Sequence, residues 1–178
     1  MGGANNICSD KTGTLTKNQM TWTNIWCGEP KKLDNPDGKL TEMFDISKFS
    51  SKNTMDLLRQ AVSCNTLDSI ENSGATEKAM LKFITRCECD YTAMRSRYLP
   101  AGYLRYQFDS ARKRMSTVVT LDENEPTEHG YNLRLHVKGA SEIILETCSH
   151  YLDKDGNKQP ISDSVKELLN DTIKNFAK

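Results

Sequence analysis

Three stretches near the middle of the chain repeat with a period of two, and they restrict the fold more than any other feature. Leu104, Tyr106 and Phe108 alternate with more polar residues, as do Met115, Thr117, Val119 and Leu121, and then Tyr131, Leu133, Leu135 and Val137. Successive side chains of a strand point to opposite faces, so this alternation predicts three strands, each with a core side and a wetted side. Between the second and third lies Asp122-Glu123-Asn124-Glu125-Pro126, through to Gly130, which is hairpin-loop material. The three strands therefore predict an antiparallel meander with one wetted face. On periodicity alone Phe108 belongs to the core.

Helical spacing surrounds this sheet. From Asn53 onward Leu57, Leu58, Ala61 and Val62 recur three to four apart, and a second helix is predicted from about Thr76 to Cys87. Ala79, Met80, Phe83 and Ile84 share one face of it, and Thr76, just after Gly74, reads as its N-cap. A helix at about Ser141 to Cys148, a turn at Asp155-Gly156-Asn157 and an amphipathic helix carrying Val165, Leu168, Leu169, Ile173 and Phe176 follow the strands. Toward the start, about Asn6 to Asp10 reads as a short strand entering a loop, and Met20, Trp22 and Trp26 suggest another strand. Residues 28–53 read as a long polar connection with a turn at Asn35-Pro36-Asp37-Gly38. The fold class expected is α+β, a central antiparallel sheet flanked by helices.

Charge narrows the function. Lys and Arg total 24 and Asp and Glu total 24 in 178 residues, so the formal net charge is zero. A nucleic-acid binder or membrane-surface protein needs a basic excess to meet phosphates, so no nucleic-acid partner is expected. No apolar run nears the roughly 20 residues of a membrane helix. The six cysteines offer only Cys87 and Cys89 as a close pair and no C-x-x-C, which argues against zinc and for reduced core thiols.

The chemistry concentrates in Ile7-Cys8-Ser9-Asp10-Lys11-Thr12-Gly13-Thr14-Leu15-Thr16. A carboxylate leaving a strand at a Gly-containing turn, ringed by hydroxyls, backbone amides and one cation, suits a phosphoryl group. Such an Asp can act as a nucleophile toward the terminal phosphate of ATP. A bare D-x-x-G is more often a surface turn whose Asp bonds its own backbone. The seven ordered positions D-K-T-G-T-L-T reverse that preference.

This string resembles the phosphorylation signature of the P-type ATPases, and three later segments match the family in order. Gly74-Ala75-Thr76-Glu77 resembles the helix-opening segment whose Glu faces adenine. Phe108 followed by Arg112-Lys113-Arg114-Met115-Ser116 resembles the strand bearing a stacking aromatic with basic residues beyond it. Lys138-Gly139-Ala140-Ser141-Glu142 resembles the K-G-A-x-E segment, whose Lys borders the nucleotide. The wording is most similar to the plasma-membrane type of calcium pump.

The resemblance implies that residues 1–19 are the first strand and phosphorylation loop of a HAD-like phosphorylation domain. Residues 20–178 would be the nucleotide-binding domain, incomplete at its C-terminus. It implies Asp10, Lys11 and Thr12 as catalytic residues, with Asp10 and Thr12 also meeting magnesium. Glu77, Phe108, Arg112, Lys113, Lys138 and Gly139 would bind ATP, with Gly139 letting a ligand approach the backbone closely. Each has a plainer reading: a core Phe108, a solvated Lys138, a solvated turn at Arg112–Arg114, a Glu77 that only complements a helix N-terminus.

The implied partners are ATP and the rest of a pump, namely the remainder of the phosphorylation domain, the actuator domain and the membrane helices through which calcium would pass. The parent would be an integral membrane protein with this segment on its cytoplasmic side. The alternatives are the same family with sodium/potassium or protons, or a non-catalytic ATP-binding or interaction module. With the magnesium-binding segments of the family absent, the expectation is weak ATP binding without phosphorylation of Asp10, and residues 1–19 poorly anchored. Asp153-Lys154-Asp155-Gly156-Asn157 misses the spacing of a calcium loop. No G-x-x-x-x-G-K-[ST] occurs either, so ATP is not held by a Walker loop.

Overall fold

The computed structural model describes residues 11, 15–66, 68–123, 125 and 130–178. The strand expected at Asn6–Asp10, with Asp10 and Thr12, lies outside them. From the loop that follows, Lys11 and residues 15–19 are exposed, Leu15 among them.

Helices come first in the core. Helix α1 (Lys52–Cys64) starts where the Ser51 hydroxyl accepts from the Thr54 amide, and α2 (Ala75–Arg86) starts at Gly74 without a side-chain cap. Thr76, expected as that cap, is inside the helix and gives its hydroxyl to the Met20 sulfur at 3.2 Å. A glycine supplies the extended cap backbone there, so no hydroxyl is needed. Met55 and Val62 of α1 meet Leu81, Phe83 and Ile84 of α2 in the main core, together with Ile25, Leu33 and Phe49. Each fully buried aliphatic chain contributes about 1.5–3 kcal/mol.

Helix α3 (Tyr91–Tyr98) has no apolar stripe and was not expected; it is started by Asp90, whose carboxylate accepts from the amides of Thr92 and Ala93. It packs on α1 through a second cluster of Cys64, Tyr98, Val119 and Leu121. Cys27, Cys64, Cys87 and Cys89 are buried free thiols, and burial pushes Cys27 and Cys64 up to about 11 and Cys87 to about 12.

Strands β1 (Asn24–Trp26) and β2 (Pro30–Lys32) form a small hairpin, so the early strand is shorter than the aromatic spacing suggests and has a partner inside the polar connection. The turn at Asn35 forms, with the Gly38 amide on the Asn35 carbonyl. Arg86 ties it to α2, donating to the carbonyls of Asn35, Pro36 and Glu42 and lying 3.8 Å from the Phe44 ring centroid.

Strands β3 (Arg105–Asp109), β4 (Arg114–Thr120) and β5 (Leu133–Gly139) make the antiparallel meander in that order. Its polarity differs from the expectation. Met115, Thr117, Val119 and Leu121 are buried, but Leu104, Tyr106, Phe108, Leu133, Leu135 and Val137 are exposed. The reason is register. Thr117 stands opposite His136 and Val119 opposite Arg134, so the polar residues of β5 share the helix-facing side with the buried residues of β4. His136 is buried there and donates from Nε2 to the Gln60 carbonyl oxygen at 2.8 Å, the same atom that Arg134 reaches at 2.8 Å.

Helix α4 (Ser141–Thr147) follows β5 directly. The hairpin of β6 (His150–Leu152) and β7 (Lys158–Pro160) leads to α5 (Asp163–Phe176), capped by Ser162. In the β6–β7 turn the Asp153 carboxylate accepts from the amides of Asp155 and Asn157, so its oxygens serve the turn. Gly28, at φ +83°, presses on this turn so closely that a Cβ would lie 2.1 Å from the Lys154 nitrogen. No described helix is long and apolar enough to cross a membrane.

Candidate functional site

Two of the residues singled out by sequence, 61 positions apart, meet directly. Lys138 lies one residue from the end of β5, and its Nζ donates to Glu77 Oε1 at 2.5 Å. Glu77 is the acidic residue in the first turn of α2, where unpaired amides already favour negative charge. Both side chains are half-buried. Burial pushes the Lys138 amine below its ordinary range, Glu77 pulls it back up, and the Arg105 charge adds to the depression. Lys138 also reaches the Thr66 hydroxyl at 3.5 Å, at the end of α1.

Phe108 comes to the same row of the sheet through an irregularity. Tyr106 pairs with Ser116 and Asp109 with Arg114, so two residues of β3, Gln107 and Phe108, stand opposite the single Met115. An inserted residue of this kind shifts the alternation by one and re-aims the side chains beyond it. Met115 in turn pairs with Lys138. In a regular ladder Phe108 would fall with Tyr106 on the far face. With the bulge it falls on the Met115 and Lys138 side, two strand spacings or roughly 10 Å from Lys138 across the backbone. Its ring is 61% exposed, so it is not the core residue that alternation suggests.

The turn from β3 to β4 holds the two basic residues. Arg112 donates its amide to Asp109 Oδ1 at 2.8 Å and its guanidinium to the Gln107 carbonyl at 2.9 Å. Lys113 closes the turn with φ +50°, a region uncommon for a residue with a side chain, and its amide reaches the Asp109 carbonyl at 2.7 Å. Gly139 has a different neighbour from the ligand expected there. A Cβ on it would lie 2.4 Å from the Lys113 carbonyl oxygen, which also accepts from the Ala140 amide at 3.0 Å. The missing side chain lets the basic turn lie against the Lys138 segment.

Glu77, Phe108, Lys113, Lys138 and Gly139 thus collect at one end of the sheet, with Arg112 on the adjoining turn. Asp10 and Thr12 lie outside the described residues, and Lys11 is exposed. A cleft of about 910 Å3 runs along β5 and takes Lys138 and Gly139 into its lining, but Trp22, Trp26, Leu57, Ile144 and Leu169 make up much of its wall and neither Phe108 nor Glu77 lines it. Its walls suit apolar groups rather than phosphates. Sequence reading missed the bulge and Thr66, because a bulge is a property of pairing and Thr66 carries no motif.

The family model for the P-type ATPase, cytoplasmic domain N, matches residues 53–178. The chain is 40% identical over 187 residues to the calcium-transporting ATPase PAT1 of Dictyostelium discoideum, an alignment covering 99% of this chain and 15% of that protein. It is 34% identical to plasma membrane calcium-transporting ATPase 4 of Bos taurus, over 97% of this chain and 14% of the relative. To calcium-transporting ATPase 8, plasma membrane-type, of Arabidopsis thaliana it is 35% identical, over 99% of this chain and 15% of the relative. The chain therefore spans less than a fifth of the length of these relatives. With its α+β fold and its match over residues 53–178, the chain belongs to the P-type ATPase family, of whose proteins it forms a cytoplasmic part.

Proposed function

We propose that residues 20–178 bind ATP as the nucleotide-binding domain of a calcium-transporting P-type ATPase. Asp10, within residues 1–19, would accept the γ-phosphoryl group. The observation that carries the proposal is the direct Glu77–Lys138 pair at 2.5 Å, in the sheet row that also receives Phe108. Phe108, exposed and backed by the strand, offers a face for the adenine ring. Glu77 can accept from the exocyclic amine while Lys138 donates to a ring nitrogen or to the ribose side. Arg112 and Lys113 stand one turn away, where phosphates running from that base would meet positive charge. Calcium as the ion is supported by these relatives, each a calcium-transporting ATPase by name.

Among the described residues no group of three or more metal-ligating side chains exists. The donors proposed for magnesium are the hard oxygens of Asp10 and Thr12, with the nucleotide's own phosphates. Bound there, the ion would neutralise phosphate charge. Lys11 adds a cation beside the attacking carboxylate. In the whole pump, the aspartyl phosphate so formed would switch ion access between the two sides of the membrane.

Titrating ATP into the chain while following NMR signals of Phe108 and Lys138 tests the nucleotide site. Saturating shifts at both are expected, with the Phe108 shift weakened in Lys138→Met. Millimolar ATP that leaves both signals unmoved overturns the proposal in favour of a module without nucleotide.

A further inference from the structure

Near the Lys138 end of the sheet and the C-terminal cap of α1 are several buried polar atoms without hydrogen-bond partners. Asn65, at the C-terminal cap of α1, is 1% exposed, and neither end of its side-chain amide has a hydrogen-bond partner. Thr117 is fully buried with Oγ1 unpartnered, and the Nε of Arg105, which stands opposite Thr117, is likewise unpartnered. Pairing and packing link these residues, and the Arg105 charge acts on both the Lys138 amine and the Cys64 thiol. Cys64, just before Asn65, packs with Val119, two residues along the same face of β4 from Thr117. Thr66, just after Asn65, contacts Lys138. A hydroxyl that accepts from an ammonium is left with its own hydrogen to donate.

Leaving both ends of a buried amide unpaired costs about 1–3 kcal/mol per group, more than a chain would keep for packing alone, since a Leu of similar volume fills the same space. Donors and acceptors converging from Asn65, Thr66, Thr117 and Arg105 are what a buried water needs, namely two to four polar partners. We infer that Asn65, with Thr66 and Thr117, holds ordered water that supports the Lys138 amine from below, so that Asn65 is a positioning residue for the nucleotide site. This deepens the ATP reading given above and rests on it. Glu77 approaches the amine from one side and the water-bearing floor from another, which fixes the direction of its remaining N–H. The amine is then aimed before the ligand arrives, which lowers the ordering cost of binding.

The test reads Lys138 without nucleotide. Acylation of the full chain by an amine-reactive reagent, resolved by peptide mass spectrometry across pH, reports the fraction of neutral Lys138 amine. Asn65→Leu removes the water and its acceptor, so the midpoint should move to lower pH. Asn65→Asp places a negative charge under the amine, so the midpoint should move up. ATP affinity should fall about fivefold in Asn65→Leu, the worth of one ordinary hydrogen bond. Opposite movements in the two variants cannot come from general loosening. Unmoved midpoints in both variants, with only a lowered unfolding temperature, would overturn the inference and leave Asn65 a packing residue. If Asn65→Leu does not fold, Asn65→Asp alone decides, an upward midpoint supporting and an unchanged one overturning. A wild-type chain that ignores ATP yet shows both shifts would sink the nucleotide reading, and with it the role of Asn65 in binding, while its hold on Lys138 stands.

Discussion

An aromatic ring left in water on a strand contributes little to folding, because it has almost no apolar surface to bury. Phe108 is 61% exposed, so Phe108→Ala should leave urea unfolding within about 0.5 kcal/mol of the parent. A base stacked on it is worth about 1–3 kcal/mol, which predicts ATP binding weaker by about fivefold or more in calorimetry. Equal losses in stability and affinity would instead mark Phe108 as structural. Glu77→Gln separates the two roles of its neighbour. The pair is half-buried, so losing it should cost less than about 1 kcal/mol of stability. Affinity for ATP should fall by about tenfold, because an acceptor with full charge is replaced and Lys138 loses the partner that aims it. From sequence, Glu77 and Lys138 were candidates only through family segments. Nothing in their 61-residue separation says that they touch.

Among the elements, the β3–β4 bulge decides where the ring goes. Deleting Gln107 should restore a regular ladder in which Phe108 alone stands opposite Met115 and so keeps the Lys138 side, away from Tyr106. The expected result is a folded chain whose circular dichroism matches the parent and whose ATP affinity stays well above that of Phe108→Ala, because the ring keeps its side. A loss as large as in Phe108→Ala would show that the ring's face alone does not make the site. The strands themselves were legible because alternation survives in all three, and α1, α2 and α5 because apolar residues recur at helical spacing. Helix α3 was not. Tyr91–Tyr98 alternates charge and small residues, and only the Asp90 cap and docking on α1 make it helical. The hairpin partner β2 was hidden for a similar reason, since Pro30-Lys31-Lys32 has no strand pattern and pairs only because β1 is beside it.

Across the whole molecule, the contact between α1 and β5 is polar where alternation leads one to expect an apolar one. His136 is buried against Gln60, and burial, aided by the nearby Arg134 charge, lowers its pKa to about 4 from 6.5. The folded chain therefore keeps a neutral imidazole where the unfolded chain would protonate. Stability should be flat above about pH 6.5 and fall as pH drops from there toward about 4, at up to about 1.4 kcal/mol per pH unit. The carboxylates of Asp90 and Asp153, held below their usual range mainly by the side chains of Thr92 and Gln159, add their losses only at lower pH, below about 3.8. Denaturant unfolding across this range checks the sign, and His136→Gln should flatten the upper window alone. A profile that keeps its fall between pH 6.5 and 4 in that variant would assign the loss to other groups.

Local spacing by itself determined which residues form the main helices and the three-stranded sheet, because helix and strand periods are written in short windows. The motif string likewise singled out Asp10 as the proposed phosphoryl acceptor, a reading carried by residue types and their order alone. Only the tertiary structure decided which face of the sheet meets the helices, which side Phe108 takes, and that Lys138, Glu77 and Thr66 share one place. Those outcomes depend on strand register and on contacts between residues far apart in the chain, and a one-residue change of pairing reverses a face without altering a single letter of the pattern.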